Sequence, residues 1–170
     1  MPRSLIERCQ PDSICEFRAS ALQRYYDGLA LSGQGNRTGA IYLWGYAAEM
    51  TLKAAYFSLV GLGESDVITW GGHIQPAIFR GRAAPLHIAW PNQGSGHNVQ
   101  AWSELLIGVR ALAPATMLAP GFAAQVQRCG QRIWRLWRET LRYRKNRAYL
   151  YEVRQMHEIT TWLLANADAL

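Results

Sequence analysis

Twenty-five consecutive residues, Gly39 to Gly63 (GAIYLWGYAAEMTLKAAYFSLVGLG), carry only two formal charges, Glu49 and Lys53. At 3.6 residues per turn they resolve into three stripes. One holds Ile41, Trp44, Ala48, Leu52, Ala55 and Leu59, and its neighbour holds Leu43, Ala47, Met50, Ala54 and Phe57. The third holds Tyr42, Tyr46, Glu49, Lys53 and Tyr56. A helix apolar on two of three faces belongs at the centre of a bundle or inside a membrane. The membrane is excluded by magnitude, because each charge at mid-bilayer costs ~2.5–3.5 kcal/mol. In a bundle the same pair is favourable, since Glu four residues before Lys is the better helical order. The expectation is an ion pair at the edge of the bundle, its stripe turned toward a groove or a dimer seam rather than into the core proper.

The flanking segments supply partners for this helix. Residues 12–31 read as a first helix, capped by Asp12 or Ser13, with Ile14, Phe17, Ala21, Leu22, Tyr25 and Leu29 inward. The turn Ser32–Thr38 is short, so the first two helices are antiparallel neighbours. Its Gly33-x-Gly35 follows a helix and lacks the rest of a phosphate-loop fingerprint, so it reads as a plain turn. Gly61–Gly96 contains seven glycines and three prolines and reads as a long irregular loop. Its tryptophans are expected to pack back on the bundle. Helical spacing resumes from Ser95, a plausible cap, to Leu112, with Val99, Trp102, Leu105, Leu106, Val109 and Leu112 on one side. Pro114 ends that helix, and Pro120 suits the first turn of the next. That next helix is expected to run through Leu141, with Phe122, Val126, Cys129, Ile133, Leu136 and Trp137 inward. A last helix covers Tyr149–Asn166, anchored by Leu150, Val153, Trp162 and Leu163. The fold class is therefore all-α: an up-and-down antiparallel bundle of four to five helices with a long Gly/Pro/Trp-rich loop between the second and third. Residues 1–170 form one domain, since this length supports one core and no repeat or composition shift divides it.

Charge is distributed unevenly. The chain carries +6 overall, yet Arg128–Arg154 holds nine basic residues against Glu139 and Glu152, a local balance of +7. Arg128, Arg132, Arg135 and Arg142 follow helical spacing along one ridge, and Arg144, Lys145 and Arg147 continue the run with Tyr143, Tyr149 and Tyr151 between them. Only two of the 18 basic residues are lysine. Guanidinium groups bind phosphate in a fork and stack on bases. The segment therefore suits RNA or a nucleotide, and Arg128, Arg132, Arg135, Arg142, Arg144, Lys145, Arg147 and Tyr149 are the expected binding residues. The bland alternative is a solvated polar face.

Other chemistry finds little support. There is no Ser-His-Asp order, P-loop or paired-cysteine motif. Cys9, Cys15 and Cys129 are odd in number and lack metal spacing, so reduced thiols in a cytoplasmic protein are expected. The opening MPRSLIERCQPDS has no apolar run of the secretory type. His73, His87 and His97 are too widely spaced for a metal site. His97 is expected to make a local hydrogen bond at a helix start, and His157 to be a satisfied boundary residue. No cofactor or metal is expected.

Tyr46-Ala-Ala-Glu49-Met-Thr-Leu52-Lys53-Ala54 resembles the A-E-x-x-L-K-A signature on the second helix of HEPN domains (higher eukaryotes and prokaryotes nucleotide-binding). Gly96-His97-Asn98-Val99, followed by Trp102 and Leu105-Leu106, resembles the family's segment opening a third helix, and Arg142-Tyr143 looks like the R-Y before its last helix. The resemblance covers about residues 15–165. It implies an all-α bundle, often a homodimer, and ribonuclease activity where an Arg-x(4–6)-His motif is present. Here no histidine follows Arg142 or Arg144 at that spacing. Histidine exchanges protons near neutral pH; arginine and tyrosine do not. The resemblance thus implies a non-catalytic HEPN-like protein that binds RNA, a nucleotide or a partner protein through its arginine-rich face. One alternative is a metal-independent RNase toxin, paired with a nucleotidyltransferase-type partner, using Arg142, Arg147 and Tyr149. Another is a structural oligomerisation module whose loop is the contact surface.

Overall fold

The computed structural model describes Cys9 and residues 11–90, 95–112 and 119–170. Among these there is no strand, and none of the helices is long and apolar enough to cross a membrane. The described residues hold six α-helices: α1 (Ile14–Gly33), α2 (Arg37–Leu59), α3 (Pro76–Ala83), α4 (Val99–Leu112), α5 (Phe122–Leu136) and α6 (Leu150–Ala165). The helix α2 is the hub, packing against α1, α4 and α6, and α4 packs on α5. Fifteen of its 23 residues are buried, from Thr38 to Phe57.

Local chemistry sets most helix ends. Ser13 caps α1 by accepting a hydrogen bond from the Glu16 amide. Asn36 caps α2 through the Gly39 amide. Gly35, with φ 78°, takes the left-handed turn that reverses the chain between them. The α4 cap is Asn98, whose Oδ1 accepts from the Ala101 amide at 3.0 Å, not Ser95, whose side chain lies outside the described residues. Expected inward positions Leu22, Leu29, Leu112 and Leu150 are exposed; Leu112 and Leu150 are the last and first residues of their helices, where fewer neighbours cover them. Pro91 and Pro114 also lie outside the described residues.

Two elements differ from the sequence expectation. The loop after α2 contains the short helix α3, and Phe79 and Ala83 from it are fully buried. Phe79 packs edge-on against Trp102, with Trp90 beside both. The loop tryptophan Trp90 thus does return to the core. Secondly, α5 stops at Leu136 rather than continuing to Leu141. Trp137 turns to extended backbone, φ −130° and ψ 140°. Its ring lies against α2 at Gly45, and its Nε1 donates to the Tyr42 carbonyl at 2.9 Å. A Cβ at Gly45 would lie 2.1 Å from Trp137 Cδ1. Burying a whole indole against a glycine outweighs the few helical hydrogen bonds lost by breaking α5. A 3-10 turn, Glu139–Tyr143, follows.

This contact is directly testable. Gly45→Ala should lower stability by about 1–3 kcal/mol through overpacking. Combined with Trp137→Ala, the two changes should cost less than their sum, because they share one contact. Thermal and urea unfolding of the three variants measures this.

Candidate functional site

The basic segment forms a cleft where it meets the start of α2. Arg144, Lys145 and Arg147 border an open cleft of about 260 Å³ whose floor is Ile41, Leu136, Leu141 and Ala148. Thr38 and Glu152 complete its wall. The loop carrying the cations has no regular structure, and side chains fasten it. Asn146 Oδ1 accepts from the Thr38 amide at 3.1 Å, and its Nδ2 donates to the Gly35 carbonyl at 2.9 Å. Thr38 Oγ1 in turn accepts from the amides of Arg147 and Ala148 at 2.8 and 3.0 Å. The Glu152 carboxylate accepts from the Tyr149 amide at 2.7 Å and fixes the start of α6. Tethering the backbone this way leaves the three cationic side chains exposed around an apolar floor.

Exposed rings adjoin the cleft. Tyr149 and Tyr151 lie nearly parallel, with centroids 5.8 Å apart and planes 11° apart. Each is 65% exposed. The Arg142 guanidinium sits 4.7 Å from the Tyr143 ring centre. Arg128, Arg132 and Arg135 are exposed on α5 but do not line the cleft, and Arg128 is engaged by Gln125. The expected ridge is therefore divided: its helical half points to solvent, and its irregular half converges.

About two turns further along α2 the structure brings together residues that the sequence kept apart. Glu49 is 3% exposed. Its Oε1 lies 2.5 Å from Lys53 Nζ, and its Oε2 lies 2.9 Å from His97 Nδ1. The expected local bond of His97 is thus a long-range one. The Glu49–Lys53 pair is also deeper than expected. It lies beneath the start of α4, with Lys53 Nζ 5.4 Å from the Trp102 ring centre, so it is buried rather than at an open edge. Tyr56, on the same stripe, is fully buried; its hydroxyl accepts from Arg82. Tyr42 and Tyr46 are half-buried and meet edge to face, and Tyr46 meets His97 the same way at 5.8 Å.

The electrostatics follow from these contacts. The hydrogen bond to Glu49 raises the His97 pKa above its ordinary 6.5, against burial; the charges of Glu49 and Glu139 assist and that of Lys53 opposes. Burial raises the Tyr46 hydroxyl, reinforced by a hydrogen bond with Tyr42, while the Arg142 charge lowers it. Burial also pushes the Cys129 thiol up to about 11, so it stays a protonated core group. Among the described residues no cluster of three or more His, Cys, Asp or Glu side chains is placed to hold a metal ion. His157, as expected, is satisfied: its Nε2 lies 2.9 Å from the Tyr25 hydroxyl. No family model matches the chain, and neither the curated proteins nor the solved structures contain a match to it.

Two outcomes follow from the buried carboxylate. Lys53→Met leaves Glu49 without its cation and should cost about 3–5 kcal/mol; Lys53→Met with Glu49→Gln should restore part of that loss in urea unfolding. Because folding raises the His97 pKa, its contribution is full below about 6.5 and fades as pH rises through the folded value. The stability gap between the native chain and His97→Gln should accordingly be larger at pH 6 than at pH 9.

Proposed function

We propose that the protein binds single-stranded RNA in the cleft bordered by Arg144, Lys145 and Arg147. The observation that carries this reading is the convergence of these three cations around an apolar floor, on a loop tethered by Thr38 and Asn146. An apolar floor accepts the face of a base, and the cations take the phosphates on either side. Tyr149 and Tyr151, exposed beside the cleft, offer further stacking surfaces. Base–aromatic stacking contributes ~1–3 kcal/mol per base and tolerates any sequence. The arginine preference supports the same ligand, because a guanidinium both forks to phosphate and stacks. The resemblance to HEPN domains adds weight to a nucleotide-containing ligand.

Fluorescence anisotropy with a short labelled RNA, titrated across salt concentrations, tests the reading. Three phosphate contacts give a log–log salt slope of about −2. Removing Arg144 or Arg147 as alanine should weaken binding and flatten the slope by about 0.7 each. Tyr149→Ala should weaken binding with the slope unchanged. Arg128→Ala, outside the cleft, should have little effect. Absence of binding at low salt, or equal losses from Arg128→Ala and Arg147→Ala, would overturn the cleft as the site. Binding of free mononucleotides as tightly as RNA would point to a small-molecule ligand instead.

A further inference from the structure

We propose that Glu152 makes the basic cleft selective for guanine, its carboxylate accepting from the N1 and N2 donors of a base seated on the apolar floor. This inference rests on RNA binding at the cleft and deepens it by naming the base.

The first observation is a mismatch of charge. Arg144, Lys145 and Arg147 border the cleft, and the acid among its lining residues is Glu152. Among the described residues no ion pair joins that carboxylate to any of the three cations. A cleft that served phosphate alone would gain nothing from a carboxylate, because the two anions repel each other in the shared space. The unpaired acid becomes favourable when the ligand brings N–H donors together with its phosphates. A base with donors on its edge meets that need, and the floor of Ile41, Leu136, Leu141 and Ala148 takes its face.

The second observation is that the acceptor is held in place before any ligand arrives. Glu152 stands in the first turn of α6, and its Oε2 accepts from the Tyr149 amide at 2.7 Å. That bond uses one of about four lone pairs on the carboxylate, so Oε1 and the second lone pair of Oε2 remain for a ligand. The cap explains why an acid stands at the start of α6. It does not explain why that acid also lies in the wall of a cationic cleft. Thr38, the neutral polar side chain of the same wall, has the opposite capacity. Its oxygen already accepts from the Arg147 and Ala148 amides, so it meets a ligand as a donor.

The four bases answer this wall differently. Guanine carries N1–H and N2–H side by side, a parallel pair that matches the two oxygens of a carboxylate, with the O6 acceptor next to them for a donor such as Thr38. Adenine and cytosine each offer one exocyclic amine beside a ring nitrogen that is itself an acceptor, which would face the second carboxylate oxygen. Uracil has one N–H between two carbonyls, and both carbonyls oppose the carboxylate. Guanine is the base that satisfies Glu152 without leaving an acceptor against it.

The test is fluorescence anisotropy of the full chain with short labelled uridine strands differing at one central position: guanosine, inosine, adenosine, cytidine or uridine. The guanosine strand should bind tightest, about tenfold above the inosine strand, which lacks only the N2 amine. Glu152→Gln keeps an oxygen for the Tyr149 amide but removes the charge and turns an NH2 toward the ligand. It should abolish the preference for guanosine over inosine and tighten binding of the all-uridine strand. A variant damaged only in its cap would lose affinity for every strand by one common factor. If Glu152→Gln does not fold, the comparison of guanosine with inosine in the native chain decides alone. Guanosine 5′-monophosphate should compete only at far higher concentration than the guanosine strand; competition at equal concentration overturns RNA as the source of the base. Equal native affinity for the guanosine and inosine strands, a preference for another base, or a common shift of all strands in Glu152→Gln overturns guanine selection and leaves RNA binding standing. Absence of binding to every strand at low salt overturns both.

Discussion

The fold depends on satisfying one carboxylate buried inside a helix core. Glu49 is almost wholly removed from solvent, and a bare carboxylate there would cost several kcal/mol. Lys53 supplies a cation from the same helix, and His97 supplies a second donor from the approach to α4. The pair is thus completed by tertiary structure, because the segment that brings His97 must be seated before Glu49 is satisfied. Aromatic packing seats it: Trp102 lies over Lys53, and Phe79 and Trp90 lie against Trp102. Polar pairing and ring packing at this end of α2 therefore support each other, and neither is complete alone.

What could be read from the sequence was what periodicity and local chemistry determine. The burial of α2 follows from its two apolar stripes, and the Glu49–Lys53 pair from a four-residue spacing. The cap at Ser13 lies three residues before the amide it satisfies. The failures share a cause. Glu49 and His97 are 48 residues apart, and no spacing rule links a helix centre to the entry of another helix. The eight residues of α3 include a glycine and only a few apolar positions, so their helical period is too short to stand out against the glycines and prolines around them. In α5 the apolar pattern continues beyond Leu136, and nothing local announces the break. The deciding contact is with Gly45, ninety-two positions earlier.

The charge run shows the same division. Its sign and size were evident from residue counts, and its arginine bias suggested phosphate. Which cations act together was not evident, because helical spacing grouped Arg142 with Arg128, Arg132 and Arg135. The structure instead groups Arg144, Lys145 and Arg147, through hydrogen bonds from Thr38 and Asn146 that hold a loop with no period of its own.

The break at Trp137 therefore has consequences beyond packing. Had α5 continued to Leu141, Arg138 and Arg142 would have extended a straight exposed ridge, and Leu141 could not have folded back to line the cleft. Ending the helix releases a dozen residues, Trp137 to Ala148, to lie along the first half of α2. There their apolar members, Leu141 and Ala148, cover Ile41, while their cations are left at the rim. The same step carries Arg142 toward Tyr46 on α2 and Glu139 toward His97 before α4, and each acts electrostatically on that residue. A single indole lodged against a glycine thus converts a helical surface ridge into a concave, positively charged border at the start of α2. A point change at Gly45 acts on stability first, but it also acts on a contact that, together with the Thr38 and Asn146 hydrogen bonds, determines where those cations stand.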